Sequence, residues 1–271
     1  AAEADRKREN ANIDADTAMG TMLKYGSEGS NYFVDNYILP KDIAAAHING
    51  DIHIHDKDFY MLTETCCQID LIKLFKDGFS TGHGFVRSPK SIASYAALAC
   101  IAIQANQNEM HGGQSIPNFD YAMADGVACT FRKEYYDALQ RYFWLEYQCE
   151  TALGDEFRTA LKEALSENLD MANIDDYERP FINWMMSRGK NLLGIEVTEE
   201  AARRGHKTSV QIAMKETDML TYQAMESLIH NLNTMNSRAG AQVPFSSINY
   251  GTCTRPEARM AIRNLLNATY K

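Results

Sequence analysis

Apolar residues along this chain recur mostly with the spacing of helices, and only briefly with that of strands. The clearest helical pattern runs from Pro89 to Met110. Ser88 is placed to cap it, Pro89 suits its first turn, and Gly112-Gly113 ends it. Its face of Ile92, Tyr95, Ala96, Ala99 and Ile103 is small enough for a second helix to approach closely. A second stretch, Asp120 to Phe157, is rich in aromatics (Tyr135, Tyr136, Tyr142, Phe143, Trp144, Tyr147) that read as a core stripe. A third runs from about Lys215 to Ser237 and closes at Gly240. Between these, 158–215 predicts shorter helices joined by charged loops, with Asp175-Asp176 and Arg203-Arg204-Gly205 as breakers. Residues 1–30 predict a short helix and then a loop ending in Gly26-Ser27-Glu28-Gly29-Ser30. Helical pattern resumes from Asn31 to Leu39, and Pro40 restarts it through His47.

Strand patterns are few. Ile52, His53, Ile54 and His55 alternate apolar with imidazole after the Asn49-Gly50 turn signal, which places both histidines on one face of a strand. Gln68 to Leu71 and Val243 to Gly251 are the other two, and a further helix starts at Pro256. Strands separated by long helical layers predict a helix-rich α/β fold with parallel pairing. So few strands cannot close a barrel, and the sequence reads as cut.

Charge narrows the function. Against 27 Lys and Arg stand 36 Asp and Glu, a net of −9, which excludes a chain that coats nucleic-acid phosphates regardless of sequence. One triphosphate, needing only a few well-placed donors, is still compatible. No apolar run approaches the ~20 residues that span a bilayer, and the start AAEADRKREN is no signal peptide, so a soluble cytoplasmic protein is expected. Two histidines at i and i+2 could ligate a metal or line a cavity. With no third ligand at a recognisable spacing, no metal site is expected.

Six cysteines with no C-x-x-C form neither a disulfide framework nor a zinc ribbon. Cys100, Cys129, Cys149 and Cys253 read as small buried hydrophobes. Cys66-Cys67 stands apart, at the head of a short strand. Adjacent side chains in a strand point opposite ways, so one of the two thiols can face a pocket.

Four stretches together carry a family resemblance: Glu9-Asn10-Ala11-Asn12, Gly50-Asp51-Ile52-His53-Ile54-His55-Asp56, the Cys66 strand, and His111-Gly112-Gly113-Gln114-Ser115-Ile116-Pro117-Asn118. In that order and at those spacings the chain resembles the anaerobic (class III) ribonucleoside-triphosphate reductases, which are glycyl-radical enzymes. Ser237 to Phe245, within Asn231–Gly251, resembles the same family, and the resemblance spans nearly all 271 residues.

The resemblance implies the first half of a ten-stranded α/β barrel, a partial catalytic domain over 1–271 with effector-binding and dimerisation helices at about 88–150. On this resemblance the ATP-cone, the finger loop with the thiyl-radical cysteine, the zinc site and the glycyl-radical segment are expected to lie outside these 271 residues. The family chemistry begins when a thiyl radical takes the 3′-hydrogen of the ribose. A second cysteine then supplies hydrogen and pairs with the first through sulfur. Cys66, in the pattern Cys-x-x-Ile-Asp-Leu, matches that position. Thr65, Asn10 and Asn12 are the candidate substrate contacts, and Lys90 and Lys133 the candidate ligands of a deoxynucleotide or ATP effector. The implied partners are ribonucleoside triphosphates, a radical-SAM activase and a second copy of the chain, with no membrane and no nucleic acid. Two other readings stay open: a half that dimerises and binds effector without turnover, and a glycyl-radical enzyme of the formate-lyase type.

Overall fold

The computed structural model describes residues 17–59, 66–110, 112–147, 155–165, 168–194, 196–235 and 243–270. Asn10, Asn12, Thr65 and Cys149 lie outside the described residues, as do Ser237 and Gly240.

Three short strands form a small parallel sheet. Strands β1 (Cys67–Gln68), β4 (Gln114–Ile116) and β5 (Ser246–Ile248) lie side by side in the order β1-β4-β5. Cys67 is in register with Gln114 and Gln114 with Ser246, so each row across the sheet faces one side. Parallel pairing was the expectation. Among the described residues the sheet stays open, and no barrel closes.

The connections are helical layers. From the start run α1 (Ala18–Phe33), which passes into a π-helical turn over Val34–Ile38, and α2 (Lys41–Asn49). After β1 come α3 (Leu71–Asp77), the hairpin β2 (Phe79–Ser80) and β3 (Phe85–Val86), and α4 (Ile92–Glu109). The long crossover from β4 to β5 holds α5 (Phe119–Tyr147), α6 (Asp155–Ala164), α7 (Glu178–Leu193) and α8 (Glu199–Thr234), and α9 (Pro256–Tyr270) follows β5. Helices α5 and α8 each serve two cores. The first half of α5 (Phe119, Met123, Val127) and the end of α8 (Met225, Leu228) bury against α4, α9 and the sheet residues Ile69 and Ile116. The second half of α5 (Tyr135, Leu139, Phe143) and the start of α8 (Ala201, Ala202) bury with Phe157, Phe181 and Met185. Of the expected aromatic stripe of α5, Tyr135, Tyr136 and Phe143 are core and Tyr142 and Tyr147 pack against it half-buried, whereas Trp144 is exposed.

Several expectations are corrected. The glycine-rich stretch 26–30 is helix, not loop, because Ser27 donates to the Asp58 carboxylate and Ser30 to the Asp58 carbonyl at 2.6 Å. These bonds outweigh weak glycine propensity. Residues 52–55 run from a bend at Ile52 through irregular chain to a turn at His55, and form no strand. The Ile54 N–H donates to His47 Nδ1 at 3.2 Å and Asp56 takes a φ of 49°, so the segment curls around His47. Helix α4 starts a turn later than expected: Ser91 and Ser94 form a reciprocal cap, whereas the Ser88 hydroxyl donates to the Lys76 carbonyl. The second long helix ends at Tyr147, and Phe157 belongs to α6. Arg203-Arg204-Gly205 does not break α8. A Cβ on Gly205 would meet the Phe143 ring at 2.7 Å, so this glycine admits an aromatic side chain instead of ending the helix. The small-residue face of α4 is also used internally, with Ala96, Ala99 and Ile103 all buried in the first core.

Candidate active site

The two faces of the sheet differ completely. Towards the helices point Cys67, Ile69, Gln114 and Ile116, half-buried to buried. Away from them point Cys66, Gln68, Ser115 and Ser247, with Asn249 just beyond the end of β5. Cys66, Gln68, Ser247 and Asn249 are exposed and Ser115 is half-buried. The vicinal cysteines point to opposite sides: Cys67 packs against the first core, while Cys66 is exposed on the open polar face rather than enclosed in a pocket. A cavity of about 350 Å³ lies on the helix side instead, lined by Ile69, Phe79, Asn106 and Glu109 among others.

Side-chain hydrogen bonds hold this face in place from behind and from its ends. Asn106 of α4 donates to Cys67 Sγ at 2.8 Å and to Gln114 Oε1 at 2.8 Å, joining β1 to β4. At the C-terminal end of β1, Asp70 caps α3 and accepts from Asn118 Nδ2 at 2.9 Å. The Asn118 bond, with those from the Lys73 and Ile72 amides, holds the Asp70 carboxyl below the usual range. The strongest pin is Asp120, only 1% exposed. Its Oδ2 accepts from the N–H groups of Gly251, Thr252 and Cys253 at 2.9, 3.0 and 2.9 Å. Burial acts to raise its pKa, but those amides, with that of Tyr121, hold the net shift downward. The loop leaving β5 is thereby fixed beside the sheet. Asn249 shares in this: its N–H donates to the Ile116 carbonyl at 2.9 Å and its amide to Ser115 Oγ at 3.3 Å.

The other described thiols are elsewhere. Cys100 is buried, and burial pushes its pKa up to about 11. Cys253 is buried too, while Cys129 is half-buried, less enclosed than its sequence context suggests.

A family model described as anaerobic ribonucleoside-triphosphate reductase matches residues 9–271. The chain belongs to that family. The anaerobic ribonucleoside-triphosphate reductase of Escherichia coli (strain K12) is 29% identical over 127 residues, covering 46% of this chain and 18% of the relative. The Salmonella typhimurium (strain LT2) protein of the same name matches equally, at 29% over 127 residues. That of Enterobacteria phage T4 is 29% identical over 136 residues, 49% of this chain and 22% of the phage protein. These matches take in only about a fifth of the relatives' lengths.

Within this reductase-family chain, the two lysines expected at an effector come to one end of the α4–α5 pair. The Ile92 N–H donates to Thr130 Oγ1 at 2.8 Å. Lys90 stands two residues before that bond and Lys133 three after it. Lys90 is exposed; Lys133 already pairs with Glu134 at 3.0 Å and Asp137 at 3.7 Å. Sequence reasoning did not single out Asn106, Asp120 or the row on the open face. The signal for the row was available in the alternation of Ser115 with Gln114 and Ile116.

Proposed function

We propose that this chain takes part in the anaerobic reduction of ribonucleoside triphosphates to deoxyribonucleoside triphosphates by a radical mechanism, and that Cys66 is its hydrogen donor. The observation that carries the reading is the division of the vicinal pair, with Cys66 exposed on an open polar sheet face and Cys67 engaged on the helix side. In this reading the sheet is part of a larger α/β barrel whose interior is the open face. Family membership supplies the reaction class.

The face fits a radical relay. Cys67 is engaged by Asn106, and Cys100 and Cys253 are buried, so among these thiols Cys66 alone is presented on the open face. A glycyl radical, installed by a radical-SAM activase, supplies the unpaired electron from which the reacting thiyl radical is made. The role of this chain is narrower. The open face seats the ribose so that Cys66 lies within reach of the carbon that loses its hydroxyl as water. Cys66 gives its hydrogen to that carbon and is left a sulfur radical. That radical regains a hydrogen atom from the reductant, while the reductant's second electron, with a proton, goes to the oxidised ribose. Holding both thiols at reactive distance removes most of the entropic barrier. The reductant is formate or a dithiol protein. Deoxynucleotide effectors and a second copy of the chain complete the proposal.

The test replaces each vicinal cysteine in the activated reductase. Cys66→Ser is expected to abolish deoxynucleotide product while the glycyl doublet in spin resonance persists; Cys67→Ser is expected to retain product. Product from Cys66→Ser would overturn the assignment.

A further inference from the structure

We propose that Gln68 and Ser115 hold the ribose hydroxyls of the substrate and that Asn249 positions Ser115. The proposal rests on the reading of Cys66 given above.

Register provides the geometry. Gln68 and Ser115 are paired across β1 and β4, and Ser115 is paired with Ser247 on β5, so the three form one row on the open face. Neighbouring strands are about 4.8 Å apart, so Gln68 and Ser115 are separated by about the width of a sugar ring. Cys66 precedes Gln68 by two residues on the same face, about 6.6 Å along the strand. A ribose lying between these three groups has its hydroxyls on the row and its ring edge at the thiol.

Chemistry selects the sugar. Gln68, Ser115, Ser247 and Asn249 are all neutral, and each both gives and takes hydrogen bonds. Ribose hydroxyls do the same. A multiply charged triphosphate calls for cationic side chains or clustered amides, which this row does not supply. None of the four side chains points into the apolar core, so their polarity serves the open side.

Asn249 acts through Ser115. Its amide donates to Ser115 Oγ at 3.3 Å, occupying one acceptor site and leaving the serine's own hydrogen to be directed elsewhere. Asn249 is held by its backbone: its N–H donates to the Ile116 carbonyl at 2.9 Å and its carbonyl accepts from the Phe119 N–H at 3.2 Å. The serine hydroxyl is thus oriented before substrate arrives.

The experiment uses the activated reductase and steady-state kinetics with each of the four ribonucleoside triphosphates. Gln68→Ala and Ser115→Ala are each expected to raise KM about three- to tenfold, by a similar factor for every base, with the glycyl-radical yield unchanged. Asn249→Ala should raise KM less and Ser115→Thr should restore it; a purely structural role would lower radical yield or Tm instead. Gln68→Met, which keeps the side-chain length without its hydrogen bonds, guards against a folding defect and should behave as Gln68→Ala. KM within twofold of the parent for Gln68→Met and Ser115→Ala overturns the proposal, as does an effect confined to one base. Cys66→Ser in the same preparations separates the two readings: product from that variant sinks the reading of Cys66 itself, whereas lost product with unchanged KM in the row variants sinks only the ribose assignment.

Discussion

Asn106 reaches from α4 through the back of the sheet to the sulfur of Cys67, 2.8 Å away, while its second amide hydrogen meets Gln114 Oε1. One side chain therefore ties two strands to one helix. Because Cys66 and Cys67 are adjacent, fixing one thiol from behind also fixes the direction of the other.

Asn106→Leu should expose the value of that tie. Gln114 is 3% exposed, so its amide oxygen cannot turn to water when the donor is lost. A buried acceptor left without its partner costs about 1–3 kcal/mol. Chemical denaturation should show a loss of that size. Asn106→Ser should fall between the two, since a hydroxyl leaves room for water to bridge. A stability unchanged in Asn106→Leu would mean the strands are held by their backbone ladder alone.

Asp120 gives a prediction with a defined pH direction. Its folded pKa is depressed, so its contribution to stability is present above the unfolded value of about 3.9 and disappears as pH falls through the folded pKa. Asp120→Ala should cost about 2 kcal/mol at neutral pH, because charge-assisted hydrogen bonds are lost. Gly251 and Thr252 are exposed and water can replace part of the loss; the Cys253 N–H is buried and has no such recourse. Asp120→Asn should lose less and also flatten the acid limb of the stability profile below pH ~4. Urea melts of the three proteins across that range are the measurement.

Parallel pairing and the separation of the vicinal thiols were legible because both follow from local rules, the alternation of a strand and the length of its connections. The core role of Tyr135 and Phe143 was legible for the same reason. Gly205 was not, because its neighbour Phe143 is far away in sequence and nothing local reports the contact. Residues 26–30 failed similarly, since the partner of Ser27 and Ser30 is Asp58. At the site, Cys66 could be singled out from its own strand. The row beside it required register across three strands, which only the folded chain displays.

Tyr135 and His206 give the second core its own pH dependence. The phenol hydroxyl and His206 Nδ1 lie 2.6 Å apart, and both residues are buried. Burial lowers the His206 pKa, against the opposing pull of the Glu178 and Asp175 carboxylates, and burial raises that of Tyr135 well above its ordinary value. Both groups are then neutral at pH 7 and share one hydrogen bond. The unfolded chain takes up a proton near pH 6.5 that the folded chain refuses, so stability should fall as pH drops below that point. Thermal melts at pH 7.5 and 5.5 should differ less in His206→Gln than in the parent. Tyr135→Phe should cost about 1–2 kcal/mol at either pH by leaving Nδ1 without its hydrogen-bond partner.

Lys90 and Lys133 are expected to differ in what they contribute to an effector. Both stand near the Ile92–Thr130 bond at one end of the α4–α5 pair, where the proposed effector phosphates would lie. Lys133 pairs with Glu134 and Asp137 already, so much of its charge is answered within the helix, though at 55% exposure such pairs are weak. Lys90 is the more available of the two. Lys90→Ala should weaken deoxynucleotide triphosphate binding about tenfold and Lys133→Ala about threefold, the range of a lost charge-assisted bond moderated by solvent. Substrate binding should change little in either. Because Ala96 and Ala99 are buried in the first core, any second copy that shares this site must approach by another face of the pair. Equilibrium dialysis with the deoxynucleotide and with the ribonucleotide, alongside sedimentation of each variant, separates the outcomes. Equal loss of both ligands would point to a damaged fold, and no loss of the deoxynucleotide would remove these lysines from the effector site.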